Sequence, residues 1–575
     1  MLNDRTADLA SLLDRDELYQ DFLRIASFVR RSDGEGEEAA RQYIQSRLAG
    51  AGVSCSRSAE KGLLAFGGPG VVTLADGASG RSFPARAWNF SAPADGVRGV
   101  GHRMGAEDFP VSPLDYLSSR VPHGTKQDLA GRIVLSRSFS PEAVLSAQDR
   151  GAAGFVICWP TEDEREIHQS GVAMMWGTPL PEETGWLPGI PVLAVNGADG
   201  RELMRRDGAE LSLSCSSEVR VSDVVRLEAR VTSTEGQPYF LLVGAHLDSK
   251  HYGATDNATG AALALALALA AARMERRRFG LRVSWWSGHE FGKYAGSSNY
   301  AREHFEEVLK HCLCYTNIDM PGMRGASDFS SVTAGPDLFA LAADAVYGVT
   351  GQRGGPVGRV RSWDQSFQNI GVSPFFIWTS ALPQGDLNRT GGTSMPWWWH
   401  TEADTADFCD RQVLETDAEV YASGLSGLME AGEGVPLDVG ALCGALRERL
   451  KELREALRPW LDLRALCAAL DGFQDTWRER GGADLAAALS AVRLLNQMYY
   501  AARGPHLQDW SGGADFVPGL SEAARLLRGG AGSDRAQAVL LNYAASQLNR
   551  LLLLADALNA LPLRGEGPVR ATESL

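Results

Sequence analysis

The 575-residue sequence predicts an α/β protein: a mixed, mostly parallel sheet sandwiched by helices, interrupted by a β-rich insert and followed by a C-terminal helical bundle. Three changes of texture carry that prediction. Strand-like and helix-like runs alternate between Tyr239 and Trp378; Gly, Pro and short β-rich runs fill residues 62–221; and Leu, Ala and Arg recur at helical spacing after Gly432. The units so defined are residues 1–60 with 222–432, residues 61–221, and residues 433–575, in a chain too long for one hydrophobic core.

Each element follows from its local pattern. Apolar residues at helical spacing from Leu9 to Phe28 and from Ala39 to Leu48, stopped by Gly50 and Gly52, predict two amphipathic helices. The insert carries the β-rich runs at residues 70–74, 131–135, 154–158 and 190–195. Strands at 239–244, 281–286, 313–318 and 374–378 then alternate with helices at 257–275, 297–310 and 337–347, the order of a parallel sheet covered on both faces. Leucines from Leu442 to Leu457, Leu485 to Leu495 and Leu540 to Leu553 mark a bundle of about four helices, broken at Gly481-Gly482 and Gly529 to Gly532.

Composition narrows the partners. A formal charge of −15 argues against nucleic acid and anionic membrane surfaces, which are bound by clustered Lys and Arg. The most apolar stretch, Ala261 to Ala272, is too short to span a bilayer. An acidic opening segment lacks the pattern of an export signal, and the eight cysteines are scattered, so a cytoplasmic location with reduced thiols is expected.

Ligands of parallel sheets gather where strands end. His246, Glu290 and Asp319 follow three successive predicted strands, Asp256 immediately precedes a helix-forming run, and His400 lies in His400-Thr401-Glu402-Ala403-Asp404. Singly, each has an ordinary explanation in packing or helix capping; together they read as the donors of a two-metal site, with Asp256 placed to bridge. Asp248 is expected to hold the N–H of His246, and Asp404 that of His400. Histidine and carboxylate donors without cysteine point to zinc, two ions per chain, with manganese or cobalt admissible in the same cage. Lys250, His251, Tyr252, Arg361, Arg389 and Trp397 to Trp399 stand near these loops as candidate substrate contacts.

The runs Gly244-Ala-His-Leu-Asp-Ser249, Gly253-Ala-Thr-Asp-Asn-Ala-Thr-Gly260, Gly288-His-Glu-Phe-Gly292, Asn317-Ile-Asp-Met320 and His400-Thr-Glu-Ala-Asp-Thr405 resemble the co-catalytic zinc exopeptidases that include aminopeptidase Y, bacterial leucine aminopeptidases and glutamate carboxypeptidase. The likeness covers about residues 7–60 and 222–430. It implies the zinc aminopeptidase fold, one zinc on His246 and Asp319, the other on Glu290 and His400, and Asp256 between them. It implies an aminopeptidase in which a hydroxide bridging two zinc ions attacks a peptide bond. The insert resembles a protease-associated domain at Leu129 to Leu135, Gly151 to Val156 and Gly189 to Leu193, and the tail implies, on architecture alone, a homodimer.

One departure stands out. The family carries two adjacent glutamates, a general base and then a ligand, where this chain has His289-Glu290, and the spacing to Gly296-Ser297 is one residue longer. Anchored on Gly292, His289 takes the base position and Glu290 the ligand position; anchored on Gly296-Ser297, Glu290 becomes the base and His289 moves in as a ligand. Imidazole suits either role, and the conventional metal cage favours the first register. Two other readings stay open: a catalytically reduced scaffold of transferrin receptor type, and a single-zinc acyltransferase similar to glutaminyl cyclase.

Overall fold

The computed structural model describes residues 8–75, 80–120, 128–161, 166–356, 364–391, 393–430, 432, 434–480, 484–511, 515–530 and 533–563. The chain opens with helices α1 (Arg15–Ala26) and α2 (Glu35–Gly50), then β1 (Ser54–Leu74). Strands β2 (Arg81–Ala87) and β3 (Ala94–Met104), helix α3 (Pro113–Ser119), β4 (Arg132–Ser136), α4 (Pro141–Asp149), β5 (Gly154–Cys158), β6 (Val192–Val195), α5 (Gly197–Met204) and β7 (Glu210–Val231) follow. Next come β8 (Phe240–His246), α6 (Thr259–Arg273), β9 (Gly280–Trp286), α7 (His289–Gly292), α8 (Ala295–Glu303), α9 (Phe305–His311), β10 (Cys312–Asn317), β11 (Ser331–Val332), α10 (Phe339–Thr350), β12 (Gly355–Pro356), β13 (Ser373–Pro374) and α11 (Arg411–Met429). The tail carries α12 (Val439–Leu457), α13 (Arg464–Arg480), α14 (Leu485–Tyr500), α15 (Pro518–Arg528) and α16 (Asp534–Asn559).

The central sheet is mixed and mostly parallel, as expected. β8 runs parallel to β9 and β10, β10 runs parallel to β13, and β7 closes the β9 edge antiparallel. The Ala/Leu run of α6 is buried on every side, against β7, β8, β9 and α1. With the residues leading into it, Ala254–Arg273 is long and apolar enough to cross a bilayer, but it is the core helix of this sheet. The tail shares that core: Leu442, Leu446, Leu495 and Leu551 belong to the same buried cluster as Leu241, Val243 and Leu263.

In the insert, hydrogen-bonded pairs close a ring, β1-β2-β6-β5-β4-β3-β7 and back to β1. β1 and β7 do not stop there. Their outer halves, Ser54 to Gly67 against Ser217 to Arg230, continue as one antiparallel ribbon into the central sheet, so residues 60 and 222 fall inside strands.

Three elements differ from the sequence reading. The helix expected over 257–275 begins at Thr259, because Asn257 Oδ1 accepts the Gly260 and Met320 N–H groups while Asp256 and Asn257 keep non-helical backbone. The helix expected over 297–310 breaks at His304 into α8 and α9. The strand expected over 374–378 is regular only at Ser373–Pro374, since Phe376 turns to φ 56°, although its carbonyl still accepts from Asn317 N–H at 2.9 Å.

Candidate metal centre

Strand ends bring the five predicted donors together. His246 closes β8; Glu290 lies in the short α7 after β9; Asp319 is two residues past β10; Asp256 precedes α6; and His400 comes from the loop before α11, at φ 58°. His246 Nε2 lies 3.0 Å from Asp256 Oδ1 and 3.3 Å from Asp319 Oδ1. On the other side, His400 Nε2 lies 3.1 Å from Asp256 Oδ2 and 2.8 Å from Glu290 Oε1. Asp256 thus gives one oxygen to each half, and all five side chains are buried.

His289 completes the cluster from the His246 side. The two rings stack with centroids 3.8 Å apart, and His289 Nδ1 donates to Asp364 Oδ2 at 2.8 Å. Asp364 is held in turn by Ser297 Oγ, which donates to its Oδ1 at 2.6 Å. His246, His289 and Glu290 form one close group of donor atoms; His246, Asp256 and Asp319 form a second; Asp256, Glu290 and His400 form a third.

The surrounding polar contacts differ in part from the sequence reading. His246 Nδ1 donates to the Asp248 main-chain carbonyl at 2.9 Å, whereas the Asp248 carboxylate accepts from Ser32 Oγ and from the His289 and Glu290 N–H groups at the start of α7. Asp404 does not hold His400. Its carboxylate accepts from Thr255 N–H, Thr255 Oγ1 and Asp256 N–H, fixing the backbone at Asp256 instead. The left-handed turn at His400 is the reason: it aims the imidazole away from the residues that follow it.

Four residues escaped the sequence reading. Arg30, fully buried, donates to the carbonyls of Leu247, Tyr252 and Gly253 and so clamps the loop after β8. Ser32 reaches Asp248, as above. From the insert, Asn89 Nδ2 donates to the Glu290 carbonyl at 2.7 Å, and Gln169 N–H donates to the His400 carbonyl at 3.2 Å. The only sequence signal was the polar run Arg30-Arg31-Ser32-Asp33 directly after an amphipathic helix.

Charge is dense here. Burial opposes protonation of His246 and His400, but Asp319, Asp248 and Asp256 hold the first well above its ordinary range, and Glu290 and Asp256 bring the second up to about 9. Burial raises Asp319. For Asp256 the pull of His246 and His400 exceeds the effect of burial and holds it well below the carboxylate range. Buried carboxylates at this density call for positive charge, which divalent cations on the same donors would supply.

The donors suit such ions. Asp256 Oδ1 and Glu290 Oε1 are buried and make no aligned hydrogen bond, although they lie close to the imidazole nitrogens of His246 and His400. The short distances without hydrogen-bond alignment mean that these atoms converge on shared space. Two imidazoles and three carboxylates with no thiolate are a zinc-type donor set.

A cavity of about 520 Å³ opens onto the cluster. Trp88, Phe90 and Phe139 of the insert form one wall, and Tyr294, Met395 and Trp399 the other. Of the candidate substrate contacts, Trp399 lines this cavity, stacked on His400 at 3.8 Å. Trp398 packs on Phe408 with its N–H on Thr255, Lys250 and His251 face a different cavity, and Arg361 lies outside the described residues.

The fold is that of solved aminopeptidase structures, and the five donors form a candidate metal centre on it. The model of peptidase family M28 matches residues 227–424, the segment that holds all five donors. A glutamate carboxypeptidase 2 homolog of Caenorhabditis elegans is 24% identical over 318 residues, covering 42% of this chain and 39% of that protein. The chain thus spans well under half the length of that curated relative. Among solved structures, the peptidase M28 precursor from Shewanella amazonensis SB2B matches with a TM-score of 0.57 at 18% identity, over 74% of this chain and 96% of that one. An aminopeptidase from Aneurinibacillus sp. strain AM-1 gives 0.54 at 19%, over 73% and 95%. A zinc aminopeptidase from Bacillus subtilis gives 0.53 at 18%, over 73% and 96%.

Proposed function

We propose that this protein is a two-zinc aminopeptidase, and the observation that carries the reading is the split of Asp256, one oxygen toward His246 and the other toward His400. His246 and Asp319 would hold one ion, Glu290 and His400 the other, with Asp256 shared. Zinc bound there supplies Lewis acidity, lowering the pKa of water and polarising a carbonyl.

The chain's own groups handle the proton. With Nδ1–H committed to Asp364, His289 keeps Nε2 as an acceptor, so it can take a proton from water and return it to the leaving amine. Glu290 Oε1 faces His400 and Asp256, which supports the register in which Glu290 is the ligand and His289 the base. The closed strand ring, read as a protease-associated-type cap, would confine the substrate from above, and the aromatic walls would exclude water from the cleft.

The test pairs two variants with metal analysis. Glu290→Gln should lose bound zinc and peptide hydrolysis together; His289→Ala should keep about two zinc per chain and lose hydrolysis. Full activity in both variants would sink the reading, and so would wild-type protein that hydrolyses an N-terminally blocked peptide library as fast as a free one.

A further inference from the structure

Behind the metal centre lies a second cavity, of about 400 Å³, that shares no lining residue with the front one. The two linings adjoin along the chain: Glu290 and Ser170 line the front, and their chain neighbours Phe291 and Gln169 line the rear. Arg31 comes from the loop after α1, Phe66 from β1, and Lys250 and His251 from the loop after β8.

The rear cavity is cationic and rich in unused donors. Lys250 is 2% exposed, and its ammonium donates to one acceptor, the Glu290 carbonyl, at 3.3 Å. Glu290, Asp248 and Asp256 act on it electrostatically from the front side, yet among the described residues none forms an ion pair with it. Arg31 approaches Asp33 at 4.0 Å, but that carboxylate already binds Arg220 at 2.6 Å and Ser222 at 2.9 Å. His251 Nε2 is buried without a hydrogen-bond partner. Glu218, a carboxylate on the lining, is paired with Arg220 at 2.6 Å.

Aromatic rings keep these cations in place without using their N–H groups. Lys250 Nζ sits 3.8 Å from the centre of the Phe291 ring, Phe291 stacks on Phe66 at 5.2 Å, and Arg31 lies 5.0 Å from the centre of Phe66. Such contacts stabilise charge but leave its hydrogen bonds unmade. A buried ammonium that makes one hydrogen bond of three is costly, and an oxyanion in the adjoining space answers that deficit.

We propose that the rear cavity is a binding site for a small oxyanion, a phosphate- or carboxylate-bearing molecule held by Lys250, Arg31 and His251. Its occupancy reaches the metal centre through the contact of Lys250 with the main chain of Glu290. The site stands independently of the hydrolytic reading, because its detection needs no turnover.

Calorimetric titration of the metal-loaded full chain with sodium sulfate, and separately with sodium acetate, at an ionic strength fixed with sodium chloride, tests the proposal. One saturable site per chain is expected for at least one anion, weakened tenfold or more in Arg31→Ala, lost in Lys250→Met, and retained after the metals are stripped with chelator. A preference for sulfate marks a phosphate-type ligand and a preference for acetate a carboxylate. If Lys250→Met fails to fold, Arg31→Ala on the cavity rim decides alone. Absence of saturable binding in the wild type, binding unchanged in the folded variants, or loss of binding on stripping would overturn it, the last by placing the anion on the metals.

Discussion

His289 lies face to face with His246, the ring planes 11° apart, while Asp364 holds the far nitrogen of His289. Stacking fixes the plane of the ring and the carboxylate fixes its tautomer, so one nitrogen is left with a defined direction. A proton carrier needs that arrangement more than a structural histidine does.

Removing the carrier should slow turnover without emptying the site. His289→Ala is expected to lower kcat by roughly 10²–10⁴-fold, the usual contribution of a positioned acid–base group. Asp364→Asn should fall between that variant and the wild type, because the ring survives but its tautomer is released. Steady-state kinetics on a peptide substrate, with zinc measured in the same samples, checks both; equal zinc loss in His289→Ala would make it a ligand instead.

Asp404 supports Thr255 and Asp256 by accepting from three donors there. Asp404→Ala leaves all three buried and unmatched, so zinc affinity should drop about 10- to 100-fold, the range seen for groups that orient ligands. Competition against a chromophoric chelator reads the change. Unaltered affinity would place the contribution of Asp404 in stability alone.

Asp337 lies far from the metals, its carboxylate accepting from Ser373 Oγ at 2.5 Å. Burial pushes its pKa up to about 6 from an ordinary 3.8. The folded state therefore binds this proton more tightly than the unfolded chain, and the associated stability is complete below pH 3.8 and lost by about pH 6. The loss amounts to about 3 kcal/mol. Urea unfolding of Asp337→Asn should show greater stability than the wild type at pH 7 and no advantage at pH 4; equal differences at both would refute the assignment.

Arg493 of α14 is a buried cation whose guanidinium donates to the carbonyls of Val308, Leu309, Cys312 and Gly371. It caps α9 and ties the tail to the segment that begins at Asp364. Arg493→Met leaves these buried acceptors unsatisfied and should cost roughly 1–3 kcal/mol. Denaturant midpoints measure it, and a shift under about 1 kcal/mol would mean that water replaces the guanidinium.

Much of the centre was legible because five residues of donor type follow strand ends or precede a helix together, where any one of them alone has an ordinary explanation in packing or capping. Asp404 was misassigned because four residues of separation suggest local support, whereas the left-handed turn at His400 sends that carboxylate to a loop almost 150 residues away. Asn89, Gln169 and Arg30 act across large separations through main-chain carbonyls, which leave no periodic trace in a sequence. The ribbon was hidden for another reason. Ser54 to Lys61 is almost wholly polar, so the alternation that betrays a half-buried strand is missing.

That ribbon has a mechanical consequence. β1 and β7 stay paired from the ring down into the sheet, and Asn89 and Gln169 add bolts between ring and floor. The ring above the donor cluster is therefore a girder fixed at its base, and swinging it upward would break a long row of backbone hydrogen bonds. A ring tied to the floor in this way keeps Trp88, Phe90 and Phe139 in register with Tyr294 and Trp399 across the cavity.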